Sequence, residues 1–240
     1  MIKEDTFDGI DTLLAFSGGM DSATVLSSLL EDKRKVLCVT FLYGSKHSKQ
    51  EIRGANLVCQ HYGVKKIEIG LYPCFTFSDS SLTRRDKEIP HGHYEDESMK
   101  STIVPGRNGI FISTLAGIAL AKQIPSIVVG CHQGDHAIYP DCTEDYLFAM
   151  REAVWLGSGK FVSLEYPFIK HDKTTIVQIG TRMRTPYSLT RTCYTDQPLA
   201  CGRCGSCTER LEAFKNNGFE DPVKYSFISL EYLGGEDYTW

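Results

Sequence analysis

The sequence predicts an α/β fold: a parallel twisted sheet with helices on both faces, followed by a small helical C-terminal region. Three observations carry that prediction. Short apolar runs rich in β-branched residues alternate with helical patterns, the loop after the first run is rich in glycine and hydroxyls, and four cysteines crowd between positions 193 and 207. Strands that alternate with helices build βαβ units, whose sheet is covered on both faces.

In chain order, strands are expected at 12–16 (TLLAF), 36–41 (VLCVTF), 66–71 (KIEIGL) and 126–131 (SIVVGC). Helices are expected at 21–31, 47–62, 108–123 and 144–154, and Lys173-Thr174 opens a later one. The stretch 73–102 is polar and aperiodic, and reads as a long active-site loop or a partly disordered excursion. The chain is divided accordingly into a nucleotide-type domain, 1–185, and a C-terminal region packed on it, 186–240. In open parallel sheets, ligands bind outside the carboxyl ends of the strands at the topological switch point. The chemistry is therefore sought in the loops that follow the strands.

Bulk properties exclude several classes. The chain has 240 residues, a formal charge of −4 and ordinary apolar content, 42%. A surface built to neutralise many phosphates carries a basic excess, so stable nucleic-acid binding is not expected. The acidic start, MIKEDTFDGID, is no signal peptide, and the longest nearly apolar stretch, 109–121, falls short of the ~20 residues of a bilayer span. A cytoplasmic location without membrane attachment is expected, where thiols stay reduced. The nine cysteines then read as packed hydrophobes or metal ligands. Cys38, Cys59, Cys74 and Cys131 lie in or near apolar elements and are expected to be core.

Phe16-Ser17-Gly18-Gly19-Met20-Asp21-Ser22 joins the first strand to the first helix and reads as an anion cradle. Two glycines allow close backbone approach, Ser17 and Ser22 supply hydroxyls, and the helix amides face the bound group. Asp21 suits such a site if it orients the loop or holds Mg²⁺. No Walker lysine is present.

Cys193, Cys201, Cys204 and Cys207 follow a C-x₇-C-x₂-C-x₂-C pattern, with Gly202 and Gly205 letting the chain wrap a metal. Four thiolates close a tetrahedral site and leave no position open for water. An iron–sulfur cluster uses the same ligands. Zn²⁺ is expected because nothing else in the sequence suggests redox chemistry.

Further strings follow the other strands: Tyr43-Gly44-Ser45-Lys46-His47 with Glu51 beyond, Val104-Pro105-Gly106-Arg107-Asn108 at a helix entrance, Asp135 through Tyr139-Pro140-Asp141-Cys142, and Lys173. SGGxDS after a first strand resembles the PP-loop of the N-type ATP-pyrophosphatases. With the other strings in this order, the chain resembles the 7-cyano-7-deazaguanine synthase family, QueC, from Phe16 to about Phe214.

That resemblance implies an adenine nucleotide alpha hydrolase-like fold and a C–N ligase. Such an enzyme uses ATP and Mg²⁺ to adenylate the carboxylate of 7-carboxy-7-deazaguanine, lets ammonia displace AMP, and activates the amide again to give the nitrile. It implies roles for Asp21, Ser22, Arg107 and Lys173 in catalysis, with residues 16–22 holding ATP. Tyr43, His47, Arg107, Asn108, Asp135, Tyr139, Pro140 and Asp141 are expected at the deazaguanine, with Asp135 and Asp141 on its guanidine-like edge. A homodimer is also implied. Alternatives are a QueC-like paralogue that stops at the amide or joins the deazaguanine to a protein N-terminus, a tRNA-modifying PP-loop enzyme, and a non-catalytic zinc module. Three stretches depart from the family pattern. Two are Ser45-Lys46 in the second-strand loop and Gln133 to Ile138 before Tyr139, so a changed base pocket or ammonia path is expected. The third is the tail 228–240, which exceeds the family's length and is expected to serve a contact.

Overall fold

A computed structural model of the chain describes residues 3–93, 96–134, 138–228 and 238–239. Its main sheet is parallel throughout, with strands β1 (Thr12–Ala15), β2 (Val36–Leu42), β3 (Lys66–Gly70), β4 (Ser126–Val128) and β5 (Ser163–Glu165) in the order β3-β2-β1-β4-β5. The order reverses between β1 and β4, so the carboxyl end of β1 lies at the switch point.

Residue alternation divides the core. Leu13, Leu37, Val39 and Ile127 face one side, where helices α3 (Arg107–Ala121) and α4 (Glu144–Gly157) bury Ile112, Leu115, Ala119 and Leu147 against them. Leu14, Cys38 and Val128 face the other side, under α1 (Met20–Glu31), α2 (Ser48–Tyr62) and α5 (Lys173–Arg182), which contribute Val25, Leu26, Val58 and Ile176. Each such side chain stabilises the fold by roughly 1.5–3 kcal/mol, and a strand apolar on both faces has no other stable place.

Local chemistry sets the helix ends. Thr143 Oγ1 accepts from Tyr146 N at 3.3 Å to start α4, and Asp172 Oδ1 accepts from Thr175 N at 2.7 Å to start α5. Gly63 ends α2 in the left-handed conformation, φ 65°.

Four structural findings amend the sequence reading. β5 was not expected: it is three residues long, and Ser163 and Glu165 give it no apolar run. Cys74 is exposed rather than core. Residues 73–102 contain two short 3-10 helices, Tyr72–Phe75 and Glu97–Thr102, and bury Phe75, Leu82 and Met99. Taken with the second of these turns, the apolar helical stretch grows to Glu97–Ala121, long and apolar enough by composition to cross a membrane. Yet α3 packs directly on β1 and β4, as a core helix does.

The C-terminal part contains α6 (Gly205–Asn216), which packs on α5, and a short antiparallel pair, β6 (Phe227–Ile228) with β7 (Tyr238–Thr239). Arg210 on α6 is fully buried and holds Asp221 through Nε at 2.7 Å and Nη2 at 2.9 Å. Residues 91 and 204 form a β-bridge, and Gly92 N donates to Arg203 O at 3.1 Å, so the long excursion is fastened to the cysteine region.

Candidate active site

A cleft opens at the carboxyl ends of β1, β2 and β4, where Ala15, Thr40, Phe41 and Val129 form its floor. One end is the glycine loop. Gly18 has φ 76°, and a Cβ there would lie 2.7 Å from Ala55 Cα and 2.8 Å from Gly54 C, so only glycine lets the loop rest on α2. Ser17 Oγ accepts from Gly19 N at 3.2 Å and lies 3.2 Å from Ser22 Oγ, while Ser22 Oγ donates to Gly19 O at 3.1 Å. Gly19 caps α1 in an extended conformation with no side-chain partner, which leaves first-turn amides directed at the cleft.

Lys173, at the start of α5, enters the same end. It is buried, with Nζ 2.5 Å from Glu209 Oε2 and 3.6 Å from Asp21 Oδ2. Asp21 Oδ1 is buried and has no hydrogen-bond partner. A lysine between two acids is held in place, and an orphaned carboxylate oxygen is the kind of group that takes a cation.

The other end is built from distant segments. Tyr43 follows β2, His47 and Glu51 sit at and just inside the start of α2, and Arg107 and Phe111 stand on α3. Tyr43 meets Phe111 edge-on at 5.7 Å, and the Arg107 guanidinium lies 5.7 Å from the Tyr43 centroid and 6.0 Å from that of Phe111. Burial pushes the Tyr43 phenol up to about 12. It also holds His47 down at about 4, so that imidazole is neutral, and raises Glu51 to about 7, opposed by Arg107 and Ser45. Burial works against the charge on Arg107, but Tyr43, Cys142, Tyr139 and Asp141 outweigh it and keep the guanidinium charged.

The cysteine region closes the cleft. The four sulfurs of Cys193, Cys201, Cys204 and Cys207 lie within 4.8 Å of one another, with Cys201 and Cys207 3.9 Å apart. Tetrahedral Zn–S bonds of ~2.3 Å place sulfurs ~3.8 Å apart, so the set fits a metal ion with little movement. Hydrogen bonds from the other three cysteines hold the Cys193 thiol far below its usual range, while the same contacts push Cys204 and Cys207 well above it, so one negative charge is shared among the four. Thr192 and Tyr194, the neighbours of Cys193, line the cleft, as do Arg191 and Ser206, and Arg191 N donates to Gly18 O at 2.8 Å. A metal here would fix one wall of the site.

The expected residues fall into four groups. Phe16, Ser17, Gly19, Asp21, Ser22, Tyr43, His47, Arg107, Asn108 and Lys173 line the cleft. Gly18 and Met20 support the loop from behind, and Met20 is buried with Val177, Tyr187 and Phe214. Tyr139, Pro140 and Asp141 do not line it: Tyr139 Oη is 2.7 Å from Thr102 Oγ1, and Asp141 Oδ2 accepts from Asn108 N at 2.9 Å, capping α3. Asp135 lies outside the described residues. Glu51, Phe111, Cys142, Arg191, Thr192 and Tyr194 were not counted as site residues in the sequence, although Glu51 belongs to the quoted strings. Tyr194 and Thr192 flank Cys193, the one signal that could have pointed to them.

Residues 11–218 match the model of the family described as queuosine biosynthesis protein QueC. The chain belongs to the QueC family. Relatives include 7-cyano-7-deazaguanine synthases of Caldicellulosiruptor saccharolyticus, 40% identical over 89% of this chain and 94% of the relative, and of Alteromonas mediterranea, 40% identical over 90% and 98%. The NMN synthetase of Francisella tularensis superposes with a TM-score of 0.48 at 12% identity, covering 95% of this chain and 82% of that one.

Proposed function

We propose that this QueC chain is an ATP-dependent ligase that converts 7-carboxy-7-deazaguanine and ammonia to 7-cyano-7-deazaguanine. The observation that carries the reading is one continuous cleft with a backbone-built phosphate cradle at one end and an aromatic, arginine-lined slot at the other. The names of relatives at 40% identity support the same substrate.

A carboxylate is a poor electrophile because oxide is a poor leaving group. In the first activation a carboxylate oxygen attacks the α-phosphorus of ATP, and the bond to pyrophosphate breaks. The loop amides, Ser17, Ser22 and Lys173 neutralise charge building on the departing pyrophosphate. Ammonia then forms the C–N bond and AMP leaves with that oxygen. In the second activation the amide oxygen is adenylated, the nitrogen loses its protons, and AMP carries off the second oxygen to leave the nitrile. Mg²⁺ is assigned to Asp21, whose free oxygen suits it, where it would neutralise phosphate charge. Zn²⁺ is assigned to the four cysteines as a structural ion. A homodimer would cover Phe148, Trp155, Leu156 and Phe161, which α4 and the following turn leave exposed; sedimentation of Leu156→Glu as a monomer would support that face, and an unchanged dimer would reject it.

Incubation with ATP, ammonium and the acid labelled with ¹⁸O in both carboxyl oxygens tests the scheme. The expected products are the nitrile and two labelled AMP per nitrile. Amide as the only product favours the shorter reaction, and absence of AMP rejects the ligase reading.

A further inference from the structure

Among the described residues that line the cleft, only Asp21 and Glu51 carry a carboxylate. Asp21 belongs to the phosphate end, within 3.6 Å of Lys173. Glu51 lies in the first turn of α2, three residues before Gly54, which abuts Gly18. It therefore sits about one helical turn, ~5 Å, along the same helix face from the loop contact.

The surroundings of Glu51 hold one oxygen and leave the other available. Ser45 Oγ donates to Oε2 at 3.3 Å, and His47 Nε2 lies 3.7 Å from the same atom. No described residue donates a hydrogen bond to Oε1. The aromatic rings of Tyr43 and Phe111, with Arg107 across them, supply a wall for a flat ring in the same cleft.

We propose that Glu51 selects the guanine-type edge of the substrate by accepting its ring N–H and exocyclic N–H. This rests on the ligase reading above. A carboxylate matches two parallel N–H donors. It would repel the carboxylate of the acid substrate, so the bicyclic ring must turn its donor edge to Glu51 and its acid group toward the nucleotide. Recognition thus passes to Glu51, which lines the cleft, from Asp141, which lies outside it and accepts from Asn108 N at the start of α3.

Glu51 is mostly buried and raised to about 7, whereas donors on the ligand favour the carboxylate, so binding near pH 7 releases up to about half a proton. The titratable and charged groups around it are His47 on α2, Tyr43 after β2, Arg107 on α3, and Tyr194 and Arg191 of the cysteine region. His47 at about 4 and Tyr43 at about 12 do not change charge in that range.

Wild type and Glu51→Gln are compared on 7-carboxy-7-deazaguanine and on its analogue without the exocyclic amine. Wild type should prefer the amine-bearing acid by about 100-fold, in line with a hydrogen bond to a charged group. In Glu51→Gln the KM for that acid should rise about 100-fold and the preference shrink below tenfold, with the KM for ATP held within twofold. Unchanged preference in the variant overturns the assignment, including the case where only kcat falls, which would mark a proton-transfer role. Titration calorimetry of the wild type in two buffers covers a variant that fails to fold. The amine-bearing acid should release up to about half a proton at pH 7 and the analogue, with only its ring N–H, clearly less; equal release by both also overturns the assignment. Failure of the wild type to form AMP from either acid rejects the ligase reading itself.

Discussion

At the end of the cleft proposed to hold phosphate, one turn of six consecutive residues, Ser17 to Ser22, offers backbone amides and two short hydroxyls. At the ring end, Tyr43, Glu51, Arg107 and Tyr194 come from four separated segments and act through long side chains. The first end is fixed by a turn that only glycine permits. The second exists only after β2, α2, α3 and the cysteine region have packed. A backbone-built end tolerates little change in the chain and much in its neighbours, while a side-chain-built end does the reverse.

The comparison breaks most severely at Gly18. Gly18→Ala combines a left-handed φ with a Cβ against the Gly54 and Ala55 backbone, a cost of about 3 kcal/mol or more. Denaturant unfolding should show that loss, with pyrophosphate release down at least about 100-fold. Survival of both would mean that the loop does not rest on α2 as described.

Lys173→Met tests the same end without touching the turn. It removes the ammonium that reaches both Asp21 and Glu209, and pyrophosphate release should fall about 100- to 1,000-fold. A loss confined to the KM for the acid would move Lys173 to the ring end.

The ring end should feel the cysteine region. Cys204→Ser is expected to abolish stoichiometric zinc by elemental analysis and to lower Tm. Because Thr192 and Tyr194 flank Cys193, the KM for the acid should rise about tenfold, more than the KM for ATP. Equal effects on both would make the metal a global staple only.

Stability against pH sharpens the account of Glu51. Its folded pKa, about 7, lies above the ordinary 4.5, so its contribution is fully present below pH 4.5 and lost as pH rises through 7. Thermal melts of Glu51→Gln should exceed wild type by a few degrees at pH 8, with the gap closing toward pH 5. The smallest effect belongs to Asp141→Asn. Loss of the negative charge at the start of α3 costs about 0.3–1 kcal/mol and should leave ring preference intact, whereas lost preference would return recognition to that residue.

The sequence by itself determined the parallel sheet, the glycine turn after β1 and the metal-ready cysteines. Those features are written in contiguous stretches, because strand burial, backbone turns and closely spaced ligands are local demands on composition. It missed β5, whose partners rather than its own residues make it a strand, and it put Cys74 in the core although it is exposed. Only the tertiary structure decided that Asp141 meets the start of α3 away from the cleft while Glu51 lines it. A carboxylate's role depends on which donors reach it first, and those donors lie far along the chain. Likewise, that the cysteine region forms a wall of the cleft follows from Arg191 meeting Gly18 across the fold, a contact that spacing along the chain does not specify.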